Sequence, residues 1–239
     1  MGKSESSQIN ELLSIGRQIS AVLASDTVSA LYMQNFADQA RLAAIPHARE
    51  EKGGWPADVH RVYSALRGLK LQSVTRIYHV EHDYYMWPLY ERALSVGAPS
   101  PDHMCKTVVM TNTRWRPSDA TPQHLCIVVQ YTQTISTQVV VDVVRALDKG
   151  HTPRKRFNFR LADEDTAYAL TGFGHNGVAP IGLANEEVPI MLSAAISALR
   201  PPVLWLGAGD IDFKMAMPVD AFVAATGCLV AHISAPTKT

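Results

Sequence analysis

Apolar positions along the chain fall into helical and alternating rhythms that mark out most of its elements. Ile9, Leu12, Leu13, Ile19, Val22 and Leu23 recur at steps of three and four, which predicts a helix near residues 8–24. Asp26 and Thr27 offer N-caps for a second helix near 28–44, with Val28, Leu31, Tyr32 and Ala43 among its apolar positions. Two such helices joined by a short turn make a hairpin, which would pack on the rest of the chain or dock a partner helix. Pro46 and then Gly53-Gly54-Trp55-Pro56 interrupt the pattern, so residues 1–50 read as an N-terminal helical extension and 57–239 as the main domain. From Asp58 a helix carries Val59, Val62, Leu66 and Leu69 inward, followed by a strand over 74–80 and a helix over 84–94 with Pro88 near its first turn. β-Branched strands at 104–111 and 124–131 flank a polar loop. Ser136 caps a helix to 147 that turns Val139, Val140, Val143 and Leu147 inward. A strand over 155–161, an acidic-fronted helix over 162–170 and strands at 188–192, 203–206 and 213–217 come next. A helix over 218–226 stopped by Gly227 and a strand over 228–233 close the chain. Strands in neighbouring pairs with helices between them, without strict βαβ alternation, predict an α+β fold around a mixed sheet or barrel.

Composition narrows the function classes. Lys+Arg and Asp+Glu balance at 22 each, so bulk charge gives no argument for a nucleic-acid partner and only a local patch would supply one. Cys105, Cys126 and Cys228 lack paired or metal-type spacing, which points to a reducing, cytoplasmic setting and away from a disulfide scaffold. No stretch approaches the roughly 18 uninterrupted apolar residues of a membrane span. The N-terminal residues do not read as a secretory signal, although Gly2 with Ser6 satisfies the loose myristoylation pattern.

Residues 171–182, TGFGHNGVAPIG, hold four glycines and a proline. Gly172, Gly174 and Gly177 formally spell G-x-G-x-x-G, but a dinucleotide fingerprint needs a strand before it and a helix opening from it. Here a helix precedes, with Gly172 as its C-cap, and Pro180 biases Ala179 toward extended geometry. What remains is a glycine loop whose amides are free to face an anionic or developing-oxyanion group, or a turn that uses glycine only for positive φ.

Lys106 shares its strand side with Val108 and Met110. A lysine there either leads its ammonium out to water or stands as a cation at a pocket rim, ready for a phosphate or carboxylate. Cys105, on the opposite face, reads as a core residue more than a nucleophile. His79 and His82 would face opposite ways on a strand and have no further ligand pattern, so no metal and no cofactor are expected. Residues 149–160 form the one basic cluster, with Arg154, Lys155 and Arg156 beside Phe157 and Phe159. That mixture suits phosphate contact plus base stacking, or simply an exposed loop and strand face.

Three stretches together resemble the YbaK and prolyl-tRNA-synthetase-associated editing domains, a family of aminoacyl-tRNA deacylases. Cys105-Lys106-Thr107-Val108-Val109 looks like the family's K-T-L/V strand, and TGFGHNGVAPIG is similar to its T-G-x-x-x-G-G-[IV]-[SA]-P-x-G loop. The order of HLCIVVQY, RFNFRLADEDTAYALTG, LWLGAGDIDFKMAM and PVDAFVAATGCLVAHIS is the third element, and the likeness spans about residues 57–235. It implies a mixed, largely antiparallel β-barrel-like sheet flanked by helices, and hydrolysis in trans of the ester joining a wrong amino acid to tRNA. Cysteine or alanine on tRNA for proline is the implied cargo, with serine on another tRNA as an alternative. Lys106 would bind the substrate's phosphate or position its end, and Gly174 to Gly177 would offer N–H donors to the tetrahedral intermediate. Thr107, His175, Asn176, Pro180, Gly182, Gly207 and Gly209 would line the substrate, and Arg154, Lys155 and Arg156 would touch tRNA. No protein nucleophile is required, because the adenosine hydroxyl or a substrate thiol assists. Two departures leave the amino acid open: Asn176 stands where many members carry a glycine, and Gly207-Ala208-Gly209-Asp210 replaces a serine-bearing turn. The rival expectation is a non-catalytic tRNA-binding adaptor in a synthetase complex, recruited through the N-terminal helices.

Overall fold

The computed structural model describes residues 14, 15, 18, 21, 22, 25–44 and 54–237. The predicted first helix, near 8–24, and the myristoylation pattern at Gly2 lie largely or wholly outside these residues. The second helix is present as α1 (Asp26–Ala44). It packs on the body: Phe36 is buried 6.2 Å edge-on to Trp205, and the Tyr32 hydroxyl donates to Gly97 O at 3.0 Å.

α2 (Ala57–Gly68) buries Val59, Val62 and Leu66. Leu69, predicted to face inward, is the C-cap and 38% exposed, because the helix ends one residue before it. β1 (Arg76–His79) follows. The single helix predicted over 84–94 is divided: Tyr84–Met86 is a 3-10 turn, and Pro88 caps α3 (Leu89–Ser95). Proline lacks an N–H and disfavours helical geometry in the residue before it, here Trp87 with ψ 149°.

β2 (Cys105–Asn112) and β3 (His124–Gln130) are antiparallel, with Lys106 opposite Val129. β4 (Gln133–Ile135) leads into α4 (Thr137–Leu147), whose N-cap Ser136 accepts from the Val139 amide. Val140, Val141 and Val144 are buried there, while Leu147 in the last turn is 62% exposed, against expectation. The strand predicted over 155–161 shrinks to β5 (Phe159–Leu161), because Pro153 starts a 3-10 turn at Arg154–Arg156. α5 (Glu164–Thr171), β6 (Ile190–Ser193), α6 (Ala194–Ser197), β7 (Val203–Gly207), β8 (Phe213–Pro218), α7 (Val219–Thr226), β9 (Leu229–Ala231) and β10 (Ser234–Pro236) complete the order. β4, β10 and α6 are too short to leave a periodic signal.

Among the described residues the strands form three sheets, in the orders β5-β2-β3-β6-β9, β1-β8-β7 and β10-β4. Pairing within the five-stranded sheet is antiparallel at β5-β2-β3 and parallel at β3-β6-β9. The barrel expectation is corrected: among the described residues no closed barrel forms. Edge strands β5 and β9 are three residues long and end the ladder. The three-stranded sheet faces the larger one across a core, and among the described residues the Met104–Trp205 bridge joins the two.

Strand alternation sorts side chains into three apolar clusters. Cys105, Cys126, Val128, Leu204, Leu206, Met215 and Met217 meet between the sheets with Val62 and Leu66. Val108, Met110, Leu125 and Ile127 turn outward onto α4. Val203, Trp205 and Ala216 turn to the opposite outside, under Phe36 and Tyr84.

Candidate functional site

The glycine loop begins where α5 stops. Asp163 caps that helix by accepting from the Thr166 amide at 2.7 Å, and Gly172 ends it with φ 70°. A helix enters the loop and none leaves it before α6, so the dinucleotide spacing is formal only. Inside the loop the Gly177 amide donates to Gly174 O at 3.1 Å, and Asn176 turns the chain at φ 61°. The amides of Gly174, His175 and Asn176 have no hydrogen-bond acceptor among the described residues, and Gly174 and His175 are exposed. Behind this rim, Phe173, Ala179 and Ile181 are sunk in the core between the sheets, and Pro180 is buried with them.

The turn at 207–210 holds the loop by backbone contact. Gly209 N donates to Gly177 O at 3.0 Å. A Cβ on Gly177 would stand 2.9 Å from Gly209 O, and one on Gly207 would stand 2.6 Å from Val178 O. Only glycine permits that approach. Gly182 rests against α2, where a Cβ would meet the Val62 Cα at 3.3 Å. At the α2 side, Arg61 lies 4.2 Å from the Phe173 ring centroid and donates to Gly172 O at 2.6 Å. His175 is exposed, 3.5 Å from the Glu164 carboxylate.

Lys106 lies on β2. Alternation turns it outward with Val108 and Met110, and it lines a cavity of about 720 Å³ with Tyr131, Ile135, Arg160 and Leu161. No residue of 171–182 lines that cavity. Thr107 points the other way, its buried hydroxyl without a partner among the described residues. The glycine loop and the 207–210 turn are thus brought together, and a row of side chains links Lys106 to the loop. Its Nζ is 5.7 Å from the Tyr131 centroid, and the Arg92 guanidinium lies 5.0 Å from Tyr131 and 5.5 Å from Tyr85. The Tyr85 hydroxyl completes the path by donating to Asn176 O at 2.8 Å.

Sequence reasoning missed this tyrosine and arginine relay, and with it Lys214. Lys214 is 4% exposed on β8, with Nζ donating to Ile211 O at 2.7 Å and Phe213 O at 3.2 Å, 4.8 Å from the Tyr85 centroid. Burial lowers its pKa to about 8. The signal that singles out Lys106, a lysine within an apolar strand, is present here too as Phe213-Lys214-Met215-Ala216-Met217. Burial pushes the Tyr84 and Tyr85 phenols well up, which keeps them neutral.

The three cysteines are free and buried. Burial pushes the Cys105 thiol far up and Cys126 up to about 12, so neither supplies a thiolate at neutral pH. His79 lies 4.8 Å from the Phe213 ring, and His82 Nδ1 is 3.2 Å from Asp212. Among the described residues no three His, Cys, Asp or Glu side chains gather as a metal site. No described helix is long and apolar enough to cross a membrane.

In the basic stretch, Arg156 bonds both oxygens of Asp119 at 2.8 and 2.7 Å, and Arg154 reaches Asp142 at 2.7 Å and Gln138. Lys155 is exposed. Phe157 and Phe159, read from the sequence as candidates for base stacking, are buried at 6% and 1% exposure and belong to the core under α4.

Solved structures share this architecture at low sequence identity. A scaffold used for computational grafting of linear epitopes aligns with TM-score 0.60 and 17% identity, over 77% of this chain and all of that one. A candidate trans-editing enzyme for prolyl tRNA synthetase aligns with TM-score 0.61 and 18% identity, over 76% of this chain and 99% of its own. The chain shares their fold. A crystal structure of a hypothetical protein aligns with TM-score 0.54 and 17% identity, over 73% and 99%. No protein-family model and no curated protein matches the sequence.

Proposed function

We propose that the protein is an aminoacyl-tRNA editing hydrolase acting in trans in the cytoplasm, with cysteine or alanine on tRNA for proline as the first substrates to try. The fold held in common with a candidate trans-editing enzyme supports this reading. The observation that carries it is the run of three acceptor-free amides at Gly174, His175 and Asn176, presented at an exposed rim and held by the 207–210 turn. Fixed N–H donors of this kind stabilise the oxyanion that develops when water attacks an ester carbonyl. Water adds to the carbonyl, the tetrahedral oxyanion collapses, and the ribose oxygen leaves with a proton to give free amino acid and tRNA. The substrate's own hydroxyl assists, which suits a chain whose three cysteines are all buried.

In this reading Gly174 and Gly177 shape the oxyanion site, and Lys106 holds a substrate phosphate beyond Tyr131. Thr107, His175, Asn176, Pro180, Gly182, Gly207 and Gly209 wall the pocket. Incubation with a panel of separately mischarged tRNAs tests it: release of one amino acid is expected, and Lys106→Ala should abolish release while leaving the fold intact. A second reading is a non-catalytic tRNA-binding adaptor in a synthetase complex. Failure of the wild-type protein to hydrolyse any member of the panel would select it.

A further inference from the structure

Beside the cavity at Lys106, a second one of about 520 Å³ is lined by Arg114, Gln138, Arg154, Lys155 and Asn158. The two share Thr137 and Phe159, so they adjoin along the outer side of the five-stranded sheet. Their linings together carry Lys106, Arg160, Arg114, Arg154 and Lys155 and no carboxylate, in a chain whose acidic and basic residues balance. Asp142 neutralises Arg154. Lys106, Arg114, Lys155 and Arg160 have no carboxylate partner among the described residues, and the last three are exposed.

Two further features fit a polyanion with unstacked bases. The first turn of α4 opens on the shared wall at Thr137, which adds the positive end of a helix dipole. The floor is apolar and partly open: Leu161 is 66% exposed, with Ile135 and Tyr131 half-buried beside it. A duplex presents phosphates alone to such a groove, whereas a single strand also lays its bases on the floor.

We propose that these cavities form one groove for single-stranded RNA, with phosphates along Arg114, Lys155, Arg160 and Lys106 and bases over Tyr131, Ile135 and Leu161. The proposal deepens the editing reading, and rests on it for naming the strand as the 3′ end of tRNA. Fluorescence anisotropy of a short single-stranded RNA, titrated at several salt concentrations, tests it on the wild type, on Arg114→Ala/Arg160→Ala and on Lys149→Ala, whose exposed lysine lies outside the groove. The double variant should bind about tenfold or more weakly, and its salt slope should fall by about 1.4, near 0.7 for each phosphate left without its arginine. Lys149→Ala should bind as the wild type does, and a duplex of the same sequence should bind more weakly. Equal weakening in both variants, unchanged binding in the double variant, or competition by polyglutamate as strong as by RNA would overturn the groove.

Hydrolysis of alanyl-adenosine, which carries no phosphate for the groove to hold, separates this proposal from the editing reading. Groove-dependent RNA binding with no hydrolysis by the wild type keeps the groove and removes editing. Hydrolysis together with RNA binding unaffected by the double variant does the reverse.

Discussion

Gly207 and Gly174 make opposite demands on a methyl group. At Gly207 a Cβ would lie 2.6 Å from the Val178 carbonyl, a backbone atom that cannot swing aside. Gly207→Ala is therefore expected to lose about 1–3 kcal/mol, read as a lower urea midpoint, and to shift the loop so that hydrolysis falls more than tRNA binding. At Gly174 a Cβ meets open space, and the residue is exposed. Gly174→Ala should leave stability within about 0.5 kcal/mol of the wild type. Equal destabilisation by the two would show that the loop is not held by the 207–210 turn. The glycines were legible as a cluster in the sequence, but which of them touches backbone across the fold was not, because the contacting carbonyls are some thirty residues away in the chain.

At the scale of elements, β8 and the Arg154–Arg156 turn each place a charge where titration or substitution reports on it. Lys214 on β8 has its pKa lowered to about 8 by burial, against an ordinary value of about 10.4 when unfolded. Between those values the unfolded chain binds more protons than the folded one, so stability rises with pH across this window. The cost of burying the ammonium, on the order of 3 kcal/mol, is present below pH 8 and relieved above it. Chemical denaturation from pH 7.5 to 9.5 should show that rise in the wild type and a flatter profile in Lys214→Met. Above about pH 10 the buried tyrosines act with the opposite sign, since their raised pKa values favour the neutral form in the fold. In the basic turn, Arg156→Ala breaks the paired contact with Asp119, both side chains being mostly buried at 16% and 10% exposure. A loss of stability with little change in tRNA affinity is expected. Lys155→Ala should do the reverse, and a stability scan beside a filter-binding assay distinguishes them.

For the whole molecule, α1 covers the outer side of the three-stranded sheet through Phe36, 1% exposed against Trp205. Phe36→Ala should cost about 3 kcal/mol, measured as a lower denaturation midpoint, whether or not the N-terminal residues also meet a partner. Removing residues 1–50 should therefore destabilise the body as well as test docking. Loss of complex formation with hydrolysis retained would mark the extension as a docking arm. The same architecture explains why the expected barrel did not close. Each strand's apolar rhythm reports only that it has a buried side, and the same rhythm serves a barrel wall or one of two facing sheets.

Local chemistry made several elements readable from the sequence alone. Ser136 caps a helix through a bond to the amide three residues on, and Gly172 and Gly227 end helices by taking φ of 70° and 61°. The side of β2 that Lys106 takes also followed from alternation. Tertiary structure alone decided what each side faces: the cavity shared by Lys106 and Arg160, the Tyr85 hydroxyl on Asn176, and the burial of Lys214. Caps, turns and alternation are settled by forces between residues a few positions apart. A cavity or a buried charge exists only once distant elements have packed, and no short window of sequence carries that information.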